Sequence, residues 1–250
     1  MKQFALLFCL ALITAVSCKE KDLSGNNPAL PNENLQLKIS FLYDGKIYTS
    51  DSLLENKLGQ KFYVTNLKLL ITNLYFKSTQ DSMLLDSGYY AFDRKTPTQF
   101  VAFIEGGGYS GRYGFRLGLD SLQTLKANPE TARGNGLTNV HVARNDDYGY
   151  NALVIEGLAL DPTDTTDTTG SIPFQYHVGG YYIYKNYISD RLNFSVSNTT
   201  TANFIITVDI EPILNNFDIL ANEAILSDPT DPVDFEIAER MLDSLEVGLF

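Results

Sequence analysis

From Leu35 the chain alternates apolar and polar residues, with Leu35, Leu37, Ile39 and Phe41 on one side of LQLKISFLY. That period of two predicts a half-buried strand. Asp44-Gly45 supplies a hairpin turn after it. The run Phe62 to Lys77, FYVTNLKLLITNLYFK, is rich in β-branched and aromatic residues and predicts a long strand, broken by a turn at Ser78 to Ser82. Tyr89 to Phe92, Phe100 to Ile104 and Arg112 to Leu119 predict three shorter strands, separated by Lys95-Thr96-Pro97 and by the glycines at 106–108. At Asp120 the period changes, and DSLQTLKANPETARG predicts a short helix capped by Asp120 and ended by Pro129. Between Tyr148 and Gly180, YGYNALVIEGLAL and IPFQYHVGG predict two strands joined by an Asp/Thr-rich loop. Arg191 to Val196 and Asn203 to Glu211 supply the last two. Near the end, Asp231 is suited to cap a helix, Pro232 to its first position and Asp234 to its first turn, where the dipole favours an anion. Phe235, Ala238, Met241, Leu242 and Leu245 give that C-terminal helix one apolar stripe. The pattern is therefore all-β, with a short inserted helix and a closing helix laid on the sheets.

The first residues read differently. MKQFALLFCLALITAVSC carries Lys2, an apolar run from Phe4 to Ala15 and small residues ending at Cys18. This is a secretory signal, too short to span a bilayer. Ala15-Val16-Ser17-Cys18 has the form of a bacterial lipobox, in which cleavage leaves Cys18 as the lipidated first residue. Residues 1–17 are then a signal peptide, 18–34 a lipidated cysteine with a polar tether, and 35–250 one domain. The expected location is the bacterial envelope, as an outer-membrane lipoprotein held at the membrane through Cys18.

Composition narrows the chemistry. With Cys9 in the discarded segment, the mature chain has no cysteine pair for a disulfide or a thiolate metal site. Loss of Lys2 takes the formal charge from −11 to −12, and such an acidic surface excludes nucleic acid as the expected partner. Fifteen Tyr, fifteen Phe and no Trp suit strands packed face to face. The run EGGGYSGRYG has neither the following helix nor the Lys-Ser/Thr of a phosphate loop, so a tight hairpin is expected there. G-x-S-x-G and H-E-x-x-H are both missing. Glu105 and Glu156 are candidates for a carboxylate pair, set against a purely structural reading of each. Asp161, Asp164 and Asp167 recur every three residues and offer oxygen donors to Ca²⁺, although a mobile polar loop, or one carrying O-linked sugar, explains them as well. Tyr181, Tyr182, Tyr184 and Tyr187 offer contact area for a glycan or protein partner, or else cover the core. His141 and His177, the two histidines of the chain, are the remaining candidates. Two neutral imidazoles suit copper, whereas each alone suits a hydrogen-bonded structural role.

Phe115 to Asp120 (FRLGLD), Gly149-Tyr150 running into Leu153 to Gly157 (LVIEG), and Phe174 to Gly180 (FQYHVGG) together resemble, in order and spacing, the copper-binding MbnP-like family. The resemblance covers the chain from about Leu35 onward. It implies an antiparallel β-sandwich in the bacterial envelope that binds copper without turnover, and a diheme peroxidase-like partner. His177 matches the family's histidine in F-x-Y-H-x-G. Family members bind copper through histidines and a tryptophan oxidised by that partner; shortly before the Gly-Tyr step, where the family commonly has tryptophans, this chain has Arg144, Asn145, Asp146 and Asp147. Without an indole the oxidising partner has no substrate here, and His141, close to that segment, is the substitute ligand expected.

Overall fold

The computed structural model describes residues 35–49, 52–78, 82–94, 97–102, 107–119, 133–134, 149–161, 170–180, 182–196 and 201–249. The alternating run at Leu35 forms β1 (Leu35–Tyr43), whose Leu35, Leu37, Ile39 and Phe41 are all buried. Asp44 and Gly45 turn the chain with φ of 53° and 67° into β2 (Lys46–Ile47), as the two-residue hairpin requires. There follow β3 (Leu54–Glu55), β4 (Lys61–Ser78), β5 (Ser82–Asp93), β6 (Thr98–Ala102), β7 (Gly107–Leu117), β8 (Arg133–Gly134), β9 (Asn151–Leu160), β10 (Ser171–Gly179), β11 (Lys185–Val196) and β12 (Ala202–Asp209). A short helix α1 (Glu211–Leu214), β13 (Ala224–Ile225), the helix α2 (Pro232–Ser244) and β14 (Glu246–Leu249) complete the described elements.

Two sheets result. The smaller has the order β14-β12-β1-β2, with β6 also paired to β1; the larger has β11-β7-β4-β9-β10-β13, with β3 and β5 on β4 and β8 on β5. Most pairings are antiparallel, but β1 and β12, distant in sequence, pair in parallel from Leu35↔Ala202 to Leu42↔Asp209. One apolar core lies between the sheets. Leu37, Ile39, Phe204, Ile206 and Val208 come from the smaller, and Phe62, Leu69, Ile71, Ile155, Phe174 and Tyr176 from the larger. Each such side chain, fully buried, contributes about 1.5–3 kcal/mol. Phe62 meets Phe174 edge-on at 6.0 Å, and Phe174 lies 5.2 Å from Tyr176, so β4 and β10 are locked together across β9.

The long β4 does not keep one phase. Phe62 and Val64 face the core, but so do Leu67, Leu69 and Ile71, and then Leu74 and Phe76. The register slips at Val64/Asn66 and again beyond Thr72, where Asn73 has a φ of 52°. Each slip is a bulge that lets a strand with an irregular apolar pattern keep its core contacts.

The glycines at 107 and 108 differ from expectation. They are not the hairpin itself but the start of β7, paired with Val196 and Ser195. The helix expected from Asp120 lies outside the described residues. The short described helix is α1, in which Pro212 near the N-terminus suits a helix start and Ile213 and Leu214 are buried. Helix α2 begins as its sequence dictates: Asp231 accepts from the amides of Val233 and Asp234 at 3.0 and 3.2 Å. Ala238, Met241, Leu242 and Leu245 are buried beneath it. All these elements lie within one compact unit, Glu33–Phe250. Among the described residues no helix is long and apolar enough to cross a membrane.

Candidate functional site

Strands β9 and β10 alternate, so that Leu153, Ile155, Phe174, Tyr176 and Val178 enter the core while Glu156 and His177 emerge on the outer face of the larger sheet. His177 stands opposite Val154, and Glu156 opposite Gln175, so the two meet on the diagonal between adjacent strands. His177 Nε2 lies 2.7 Å from Glu156 Oε1. The other carboxylate oxygen, Oε2, accepts from Asn66 Nδ2 at 2.8 Å. Side-chain exposure is 20% for His177 and 35% for Glu156, so the pair is accessible yet sheltered.

The bulge in β4 builds the other half of this site. Its extra residue turns Thr65 and Asn66 together toward Glu156: Thr65 Oγ1 donates to the Glu156 carbonyl at 3.2 Å while Asn66 holds the carboxylate. The buried Tyr48 hydroxyl donates to the Val64 carbonyl and fixes the strand just before the slip. Next to Glu156, Gly157 has no room for a side chain. A Cβ there would stand 2.1 Å from the Tyr63 carbonyl oxygen and 2.4 Å from the Phe174 ring. The Glu-Gly step is thus a mid-strand feature, with a carboxylate outward and close backbone approach inward. Beside it, Thr65, Asn66, Leu67, Lys68, Asp93 and Arg94 line a depression of about 330 Å³.

Burial pushes the Glu156 carboxyl up, but the hydrogen bonds from Asn66 and His177, then the charges of His177 and Lys68, hold it below its ordinary value. Glu156 is therefore a carboxylate, an acceptor at both oxygens. A neutral His177 consequently carries its proton on Nε2 and directs it at Glu156. The lone pair is left on Nδ1, which has no hydrogen-bond partner among the described residues. Metal-ligating histidines commonly donate their second ring N–H to a carboxylate in the same way.

At its other end, His177 is held by its backbone. The Ser227 hydroxyl donates to the His177 carbonyl at 2.8 Å and accepts from the Gly179 amide at 3.0 Å. Sequence reasoning identified His177 and Glu156 as separate candidates but not Asn66 or Ser227. The signal for Asn66 was the phase slip from Val64 to Leu67; nothing local marked Ser227.

Among the described residues no three His, Cys, Asp or Glu side chains cluster as a metal site. His141, Cys18, Glu105, Asp164, Asp167, Tyr181 and the segment Arg144 to Asp147 lie outside the described residues. Asp161 is described and half-buried. Tyr182 and Tyr184 are exposed, and the Arg116 guanidinium sits 4.8 Å from the centre of the Tyr184 ring. Tyr187 instead covers the core. It stacks on Phe115 at 5.5 Å and donates to the Leu245 carbonyl at 3.2 Å.

A family model described as MbnP matches residues 32–230. Among solved structures, MbnP from Methylosinus trichosporium is similar, with 12% identity over 86% of this chain and 97% of that one and a TM-score of 0.47. No curated protein matches.

Proposed function

Because the chain belongs to the MbnP family, whose membership supports binding without turnover, we propose that it is an envelope metal-binding protein that takes copper at His177 Nδ1. One observation carries this reading: Glu156 occupies Nε2, with Asn66 behind it, and so leaves Nδ1 as the donor. Imidazole nitrogen suits copper in either oxidation state, and Cu(I) is satisfied by two or three ligands. Among the described residues Glu156 and Asn66 orient one imidazole, that of the first proposed ligand; His141 is the second ligand proposed. The chain has no tryptophan, so no indole-derived ligand takes part and the proposed site is built from unmodified side chains. A diheme peroxidase-like partner is accordingly not required for it.

Copper is held for acquisition or buffering, at a membrane to which acylated Cys18 tethers the domain. Isothermal titration with Cu(I) and Cu(II) tests the site. The wild type binds more tightly than the double variant His141→Ala, His177→Ala, and equal binding by the two would overturn the reading. Mass spectrometry of the native protein tests the anchor: the expected N-terminus is Cys18 with acyl mass added, and an unmodified Cys18 refutes it.

A further inference from the structure

Ser227 is one of three non-glycine residues with positive φ among the described residues, at 56°, and it is 5% exposed. Only Gly and, less often, Asn or Asp take that conformation readily, so a serine held there is strained. Its neighbours are held on both sides by one carboxylate in the first turn of α2. Asp234 accepts from the Leu226 amide at 2.9 Å and from the Asp228 amide at 2.6 Å. The hydroxyl so presented bridges the His177 carbonyl and the Gly179 amide, across the point where the β9–β10 register slips between Val178 and Gly179. At a slip the ladder no longer fixes the strand, and a side-chain bridge takes over that task.

We infer that Ser227 is a positioning residue for the metal site: by pinning the backbone on either side of Val178 it sets the orientation in which the His177 ring meets Glu156. The inference rests on the copper reading for its functional meaning, but the orientation of the ring is measurable without metal. The line of force runs from the N-terminus of α2 through Asp234 to the 226–228 segment, then through the Ser227 hydroxyl to β10. Glycine would take this backbone conformation without steric strain but has no hydroxyl to bridge His177 and Gly179.

The test compares Ser227→Gly, which relieves the strain and removes the hydroxyl, with Ser227→Ala, which removes the hydroxyl alone. Ser227→Gly is expected to keep a denaturation midpoint close to the wild type. Its Cu(I) affinity, read by competition with a chelator, falls about 10–100-fold, the usual cost of losing an outer-shell contact. In metal-free protein, ¹⁵N NMR of the ring shows one tautomer, Nε2–H, in the wild type and a mixture in both variants. A folded Ser227→Gly with wild-type affinity and a single tautomer overturns the inference. If the wild type binds no copper, the functional reading falls while the ring measurement still decides: a mixture supports the positioning role and an unchanged tautomer refutes it.

Discussion

Replacing Glu156 by Gln keeps the shape of the site and removes half of its acceptors. In the wild type both carboxylate oxygens are used, one by Asn66 at 2.8 Å and one by His177 at 2.7 Å. Glutamine has a single oxygen. If that oxygen keeps Asn66, its NH₂ faces His177 Nε2, which must then become the acceptor, so the ring proton moves to Nδ1 and blocks the proposed ligand atom. Hydrogen bonds to a charged group contribute about 1.5–3 kcal/mol when sheltered. With Glu156 35% exposed, solvent screening reduces the expected loss in E156Q to about 1 kcal/mol. The pH dependence has a definite sign. The folded carboxyl lies below its ordinary value, so the stabilisation is fully present above that value and disappears as pH falls through the lowered one. Urea denaturation at neutral pH should therefore separate wild type from E156Q, and the gap should close in acid below the usual carboxylate range. Copper affinity should fall about 10–100-fold. Equal denaturation midpoints at neutral pH together with unchanged copper affinity would show that Glu156 neither stabilises the fold nor orients His177.

Three further outcomes follow from the packing. Gly157→Ala drives a Cβ against the Tyr63 carbonyl, a backbone atom that cannot rotate away, and should cost about 3 kcal/mol by chemical denaturation. Tyr176→Phe removes a fully buried hydroxyl with no hydrogen-bond partner among the described residues; its midpoint should be unchanged or higher, and a clear loss would reveal an unseen partner. Asp231→Ala deletes the acceptor for the Val233 and Asp234 amides and should lower stability by about 1 kcal/mol.

Much of the fold was legible because the physics that sets it is local. The alternation of β1, the Asp44-Gly45 turn and the Asp231-Pro232 start of α2 each depend on neighbours a few positions away, and each appears as read. The parallel pairing of β1 with β12 was not legible, since it joins segments whose only shared signal is an apolar face. The site shows the same division. His177 and Glu156 stood out as rare or chemically able residues, but their contact depends on the β9–β10 register. Asn66 comes to Glu156 through a bulge on a third strand. Ser227 reaches β10 from 50 residues away, through a carboxylate on α2. Such supporting contacts are fixed by three-dimensional closure, and beyond the phase slip around Asn66 the sequence carries no periodicity for them.

In the proposed site His177 offers Nδ1 to copper while Nε2 stays with Glu156. Titration of ¹⁵N-histidine-labelled protein with Cu(I), followed by NMR, measures both nitrogens at once. The Nδ1 resonance of His177 should shift with added metal and saturate, while Nε2 keeps its bound proton; a His177 ring indifferent to Cu(I), or one that binds through Nε2, would contradict it.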